Sequence, residues 1–322
     1  MTPSPNGITR RDALKRTFIF SAALLTPAAL SRLFAQSASP SYPAGGLHLL
    51  ALADFGSGTP DQLAVARQME QYAARLPTPP AAVLALGDNF YGKWTADRFQ
   101  SGFEQMYRPE HLLCPFYVCL GNHDYEEQKL SMQLAYPREN PRSRWKLPAK
   151  WYSVEIPSGS QPMLRLIVLD SNHTLLSPAE QSEQTTFLER QLTASTTAPW
   201  TIVTAHHPLF SNGPHKDSPT LISQWGPLLT QARVPLYLCG HDHLMQHLEI
   251  QGYLSSFVIT GGGGAGLHVD GKTHDAYALS SFGFTHLHLT PQSLTVRLLN
   301  AHSQCLHAFS RSRDGVVTTL PA

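Results

Sequence analysis

Five short clusters, each at the end of an apolar run, limit what this chain can fold into more than any other feature. Asp54 stands in Ala53-Asp54-Phe55-Gly56, Asp88 and Tyr91 in Gly87-Asp88-Asn89-Phe90-Tyr91, and Asn122 in Gly121-Asn122-His123-Asp124. His206 stands in Ala205-His206-His207-Pro208, and His241 and His243 in Gly240-His241-Asp242-His243. The runs before them, 47–53, 83–86, 116–120, 201–204 and 234–238, read as buried strands. In an open α/β sheet, chemistry collects beyond the carboxyl ends of the strands. Seven residues of metal-ligand type, far apart in sequence, can therefore converge there, which is the layout of a two-metal hydrolase.

Ligand chemistry sharpens this expectation. Oxygen donors from Asp54, Asp88 and Tyr91 suit a hard, highly charged cation, whereas the imidazoles of His206 and His241 suit a borderline divalent ion such as zinc or iron. A carboxylate such as Asp88 has two oxygens and can bridge two ions. Tyr91 discriminates further: a phenol of ordinary pKa ~10 must lose its proton to bind strongly, which favours iron(III) over a weakly acidic divalent ion. Taken singly, each cluster has a plainer reading. Tyr91 suits a core aromatic, Asp-x-Gly a turn, and His206 an interior hydrogen-bonded histidine. Their joint order, each after a strand, is what packing alone does not explain.

The rest of the chain accommodates a large globular unit. At 322 residues, 42% hydrophobic and 15% charged, it has the composition of a packed α/β protein. Thr9-Arg10-Arg11-Asp12 precedes an apolar stretch over 18–30, too short to span a membrane, which needs ~20 residues, and flanked like an export signal. The paired arginines point to the twin-arginine route, although Ala13 stands where an aromatic residue is usual. We expect residues 1–37 to be this signal, 38–46 a linker and 47–322 a single domain. Removing 1–37 leaves 19 basic and 22 acidic residues, net −3, so no general nucleic-acid-binding surface is expected. Of the four cysteines, Cys119 and Cys239 read as buried thiols, and pairing cannot be read from the spacing.

Helices are expected where caps occur. Thr59-Pro60-Asp61-Gln62 opens a periodic run to residue 76, and Ser177-Pro178-Ala179-Glu180 one to residue 192. Gly261-Gly262-Gly263-Gly264-Ala265-Gly266 lacks the lysine of a phosphate loop and reads as a flexible turn bordering the site. Asp170 ends a strand, either to orient a ligand or to close a turn. His207 is expected to line the pocket.

The ordered set Asp54-x-Gly56, Gly87-Asp88-x-x-Tyr91, Gly121-Asn122-His123-Asp124, Val203-x-x-His206 and Gly240-His241-x-His243 resembles the signature of purple acid phosphatases within the calcineurin-like metallophosphoesterases. The likeness is to the small tartrate-resistant, mammalian-type branch, supported by Gln133-Leu134-Ala135-Tyr136, Arg144-Trp145-Lys146-Leu147-Pro148 and Trp151-Tyr152. It runs from about residue 47 to 243, and more loosely beyond. The resemblance implies an α/β fold, the calcineurin-like αββα sandwich of two mixed sheets flanked by helices. It implies that Asp54, Tyr91 and His243 hold Fe(III), that Asn122, His206 and His241 hold a divalent metal (Fe, Zn or Mn), and that Asp88 bridges them. His123 and His215 match the family's non-ligand histidines, which contact phosphate or protonate the leaving alkoxide.

The activity so implied is hydrolysis of a small phosphomonoester by metal-bound hydroxide at acidic pH. The expected setting is periplasmic or secreted, reached through the bacterial twin-arginine machinery, with no permanent membrane anchor and a monomeric chain. Ala53, Ala205 and His207 depart from the family's usual residues without removing a ligand. The short 170–177 segment replaces a long protease-sensitive loop of mammalian members, so no activation by nicking there is expected. The alternatives are a phosphodiesterase or nucleotide hydrolase with two divalent metals, and a non-catalytic metal-dependent binding protein on the same fold.

Overall fold

Two sheets packed face to face carry the chain from Gly45 onward. The computed structural model describes residues 45–322; the expected signal, 1–37, and most of the linker lie outside the described residues. Among the described residues, fifteen strands and four α-helices follow one another: β1 (Leu47–Leu52), α1 (Pro60–Ala73), β2 (Ala82–Leu86), β3 (Phe116–Cys119), α2 (Lys129–Glu139), β4 (Trp145–Lys146), β5 (Tyr152–Ser158) and β6 (Gln161–Val168). The order continues with α3 (Pro178–Thr193), β7 (Trp200–Thr204), α4 (Pro219–Gln231), β8 (Leu236–Cys239), β9 (Met245–Glu249), β10 (Ser256–Thr260) and β11 (Tyr277–Leu279). It ends with β12 (Gly283–Leu289), β13 (Ser293–Asn300), β14 (Cys305–Ser312) and β15 (Val317–Leu320).

The first sheet runs β15-β14-β13-β12-β1-β2-β3-β4 and the second β11-β9-β10-β8-β7-β6-β5. Both are mixed: β1 to β4 are mutually parallel, as are β6, β7, β8 and β10, while the remaining pairings are antiparallel. This is the expected αββα sandwich.

Period-two alternation explains the two-sided burial. Leu164, Leu166 and Val168 of β6 face the core between the sheets, with Leu50 and Val83. Ile167 and Leu169 face the outer core, with Leu188 of α3 and Leu221, Trp225 and Leu229 of α4. Helix starts follow local chemistry: Thr59 accepts from the Gln62 amide and Pro60 occupies the first turn, and Ser177 and Glu180 complete a reciprocal capping box. The Gln62 side chain reaches back to the Gly58 amide (2.8 Å) rather than to that of Thr59.

Because β1, β2 and β3 point the same way in one sheet, and β7, β8 and β10 in the other, their carboxyl ends open on one shared rim. Backbone bonds lace that rim: Ala53 N–H donates to Thr260 O (3.0 Å), Asp54 N–H to Gly87 O (3.0 Å) and Ala205 N–H to Leu238 O (3.4 Å).

At the far side, β1 and β12 bury a histidine stack that the sequence did not announce. His48 and His286 approach at 3.0 Å, His48 and His288 stack at 4.4 Å between centroids, and Tyr72 reaches His286 at 3.1 Å. Burial, with His288 and Arg297 nearby, lowers His48 to about 4, and burial holds His286 well below its ordinary value. A histidine depressed in the folded state stabilises the fold fully above its unfolded pKa, ~6.5, and that stability is lost as pH falls through 6.5 toward the folded value. Urea midpoints are therefore expected to drop between about pH 6.5 and pH 4, with a shallower drop in His48→Gln. Equal slopes in the two proteins would contradict this.

Candidate metal centre

Three site residues sit at strand ends with left-handed backbones: Asp54 at φ 58°, Asp88 at φ 52° and His241 at φ 70°. Such conformations cost of order 1–3 kcal/mol each for residues with a Cβ and cluster where function requires them. Here they belong to the turns by which chain leaving a strand brings these side chains to the rim. Gly121 is forced by close approach: a Cβ there would lie 2.2 Å from both the amide nitrogen and Oδ1 of Asp88.

The donor atoms converge. Tyr91 Oη lies 3.0 Å from Asp88 Oδ2, 3.3 Å from Asp54 Oδ1 and 3.2 Å from His243 Nε2. His206 Nε2 lies 3.5 Å from Asp88 Oδ1, 3.9 Å from Asp54 Oδ1 and 3.3 Å from His241 Nδ1. Asp88 thus turns one oxygen toward Tyr91 and the other toward His206. The opposite nitrogens are tied to backbone carbonyls, His206 Nδ1 to Leu86 O (2.9 Å) and His243 Nδ1 to Gly266 O (2.6 Å). Such anchoring fixes the tautomer and leaves Nε2 as the nitrogen available to a cation.

Electrostatics describe a site short of positive charge. Burial raises the Tyr91 phenol far above its ordinary value, and Asp54 and Asp88 raise it further. Burial disfavours charge on both Asp88 and His206, yet their mutual attraction outweighs it: the carboxyl is held low and the imidazole high. A proton on His206 stands where a cation would act, so binding a metal displaces it. Asn122 Oδ1 is buried with no hydrogen-bond partner, a penalty of ~1–3 kcal/mol that a cation would remove. Two carboxylates, a phenol, an amide oxygen and three imidazoles, two of them anchored through Nδ1, therefore fit a pair of cations.

His123 and His215, expected to contact phosphate rather than metal, border the same space. His123 Nδ1 pairs with Glu126 Oε1 (2.7 Å), its Nε2 stands 4.0 Å from Asp88 Oδ2, and its ring lies 4.6 Å from that of Tyr91. Glu126 is held in turn by buried Lys129 (2.8 Å), which also donates to His123 O (3.1 Å). His215 Nδ1 pairs with Asp242 Oδ1 (2.8 Å), its ring 4.0 Å from His241. His207 is tied to Ser171 Oγ (2.8 Å) with its ring 4.2 Å from His241, and one nitrogen each of His206, His207 and His241 fall within 4.8 Å of one another. Burial and neighbouring His206 lower His207 to about 3, which keeps it neutral.

Several functional neighbours escaped the sequence reading. Glu126 and Asp242 orient the two histidines, although Asp242 stood inside the Gly240–His243 cluster and Asp124 inside Gly121–Asp124. Asp124 gathers the amides of Gly121 (2.8 Å), Asn89 (3.0 Å) and Phe90 (3.3 Å), locking two loops together. His268 stacks on His243 at 4.1 Å and left no sequence signal. Asp170 closes its turn through the Asn172 amide (3.0 Å) and bonds Tyr125, so it braces the loop carrying Asn122. The glycine run is a correction: from Gly261 to Ala265 it is not an open turn but buried backbone packed beside the site, and only Gly266 is exposed. Gly263 N–H donates to Ala53 O (3.0 Å), and a Cβ at Gly263 would stand 2.2 Å from that oxygen.

Comparison with known proteins agrees with this geometry. The calcineurin-like phosphoesterase family model matches residues 47–245. Tartrate-resistant acid phosphatase type 5 of Oryctolagus cuniculus is 30% identical, over 85% of this chain and 91% of its own. The Homo sapiens protein of the same name is 30% identical, over 70% and 77%. Among solved structures, the purple acid phosphatase from yellow lupin seeds superposes with a TM-score of 0.65 at 20% identity, covering 84% of this chain and 55% of that one. A protein described as the anchor in the inner membrane complex of Plasmodium gives 0.70 at 21% identity, covering 82% and 88%, a likeness of fold alone.

Proposed function

The chain belongs to the calcineurin-like phosphoesterase family, in its purple acid phosphatase branch, and on that premise we propose an exported acid phosphatase with an Fe(III)–M(II) centre. Hydrolysis of phosphomonoesters follows from its relatives; the metal identities, the residue roles and the export are our own reading. Asp54, Tyr91 and His243 would hold the iron, and Asn122, His206 and His241 the divalent ion, with Asp88 between them. When bound, such a pair polarises a phosphate and lowers the pKa of a water to supply hydroxide.

The observation that carries this reading is the position of Tyr91 Oη, within 3.3 Å of Asp54, Asp88 and His243. A phenol raised by burial and two carboxylates gives up its proton only to a strongly charged cation, which supports iron(III) over a second divalent ion. His123, held by Glu126, faces the Asp88 carboxylate and is suited to contact a phosphate oxygen. His215, held by Asp242, is suited to deliver a proton to the departing ester oxygen, a contribution typically ~10²–10⁴-fold.

Export is supported by Arg10-Arg11 and the apolar stretch that follows. Among the described residues, no helix is long and apolar enough to cross a membrane. Recovery of a mature chain beginning near Ala38 from the periplasm or medium tests this part.

The activity itself is tested by offering matched mono- and diesters to the metal-replete protein from acidic to neutral pH. Faster turnover of the monoester in the acidic range is expected. Preference for the diester would favour the phosphodiesterase alternative, and hydrolysis of neither would favour a binding protein.

A further inference from the structure

Between the ligands His241 and His243 lies a carboxylate that the proposed chemistry has not yet used. Asp242 is fully buried. Its Oδ1 accepts from His215 twice, from the ring Nδ1 at 2.8 Å and from the backbone amide at 3.3 Å. Its Oδ2 accepts from the Ser211 hydroxyl, and that hydroxyl oxygen also accepts from the Gly213 amide (2.8 Å) and the Gln246 side chain (2.9 Å). The chain makes room for the group: a Cβ at Gly213 would stand 2.1 Å from Asp242 Cγ.

His215 itself is 45% exposed, on the loop between β7 and α4. A half-exposed imidazole on a loop samples several rotamers unless something holds it, and each misplacement of about 1 Å can cost ~10²-fold in rate. A buried carboxylate bonded to Nδ1–H holds both the ring direction and the tautomer, and Nε2 is then the nitrogen left to meet a ligand.

We infer that Asp242 is the positioning residue of His215, seated by Ser211, and that it acts on catalysis only through that histidine. The inference rests on the role given to His215 in the proposed function. As the P–O bond to the leaving group breaks, its electron pair stays on the ester oxygen and the Nε2 proton of His215 passes to that oxygen. The leaving group departs as a neutral alcohol. Water supplies the oxygen and one hydrogen gained by the phosphate, and its second proton, through solvent, restores Nε2–H. The Nδ1 proton stays between His215 and Asp242 throughout.

The dependence on leaving group separates this role from a purely structural one. An alkyl phosphate needs a proton donor, whereas para-nitrophenolate leaves without one. In the metal-replete protein, Asp242→Asn is expected to retain two metals and an unchanged KM. It should lower kcat by about 10²-fold on an alkyl phosphate and by less than ~10-fold on para-nitrophenyl phosphate. In a His215→Ala background, Asp242→Asn should cost less than about twofold further. Ser211→Ala, which removes one seat of the carboxylate, should show a smaller deficit with the same dependence, and it serves as the test if Asp242→Asn does not fold.

Equal losses on both substrates, or additive losses in the His215→Ala background, would overturn the inference while leaving the phosphatase reading intact. Unimpaired His215→Ala turnover of the alkyl phosphate would remove His215 from the mechanism and the inference with it. A metal-replete wild-type protein inactive on every monoester would reject the reading itself.

Discussion

Asp88→Asn is expected to reduce turnover by at least about three orders of magnitude and to leave the protein with fewer than two bound metals. Asp88 faces the two halves of the donor set with different oxygens, Oδ2 3.0 Å from Tyr91 Oη and Oδ1 3.5 Å from His206 Nε2. Asparagine keeps the shape but converts one of these oxygens into an N–H donor, which cannot ligate, and removes the charge that would hold two cations close. Metal clamping contributes several kcal/mol of transition-state stabilisation, and each ~1.4 kcal/mol is a factor of ten. Elemental analysis beside steady-state kinetics tests this. A variant that keeps two metals and loses less than tenfold would show that Asp88 does not bridge.

Gly121→Ala should come close to that effect without touching a ligand. The added methyl would lie 2.2 Å from the Asp88 amide nitrogen and from Oδ1. One of those atoms is backbone, so no side-chain rotation relieves the overlap. The Asp88 turn or the Asn122 turn must therefore shift by most of an ångström. Misplacement on that scale costs ~10²-fold in rate, and overpacking of a tight interior costs ~1–3 kcal/mol in stability. Parallel kcat and thermal-melting measurements check both parts. Near-native activity in Gly121→Ala would mean that the two turns are less tightly apposed than described.

What could be read from the sequence, and what could not, divides along physical lines. The strand ends were legible because a run such as Leu49 to Ala53 is apolar on both faces and stops at a residue, Asp54, that a buried strand rejects. The convergence of the candidate donors was legible because each follows such a stop, and Thr59 and Ser177 announced their helices by capping. Helix α2 was not, since Gln128 offers no cap and Pro137 lies inside it; α4 carries an interior proline as well, Pro227.

Lys129, which the sequence does not single out, buries its ammonium against Glu126 and the His123 carbonyl. The supporting shell was illegible for a different reason. Glu126, Asp242 and His268 act through contacts between side chains that only the fold brings together, as when His268 crosses 25 residues to stack on His243. The glycine run was misread because sequence shows the absence of side chains but not the backbone that excludes them.

The visible absorption spectrum of the iron-replete protein, recorded beside that of Tyr91→Phe with metal content measured in both, bears most directly on the central claim. The donor geometry predicts a phenolate-to-iron(III) charge-transfer band in the native protein and its loss in Tyr91→Phe. An iron-replete native sample without the band, or a band that survives in Tyr91→Phe, would contradict the assignment of Tyr91 and with it the iron(III) half of the centre.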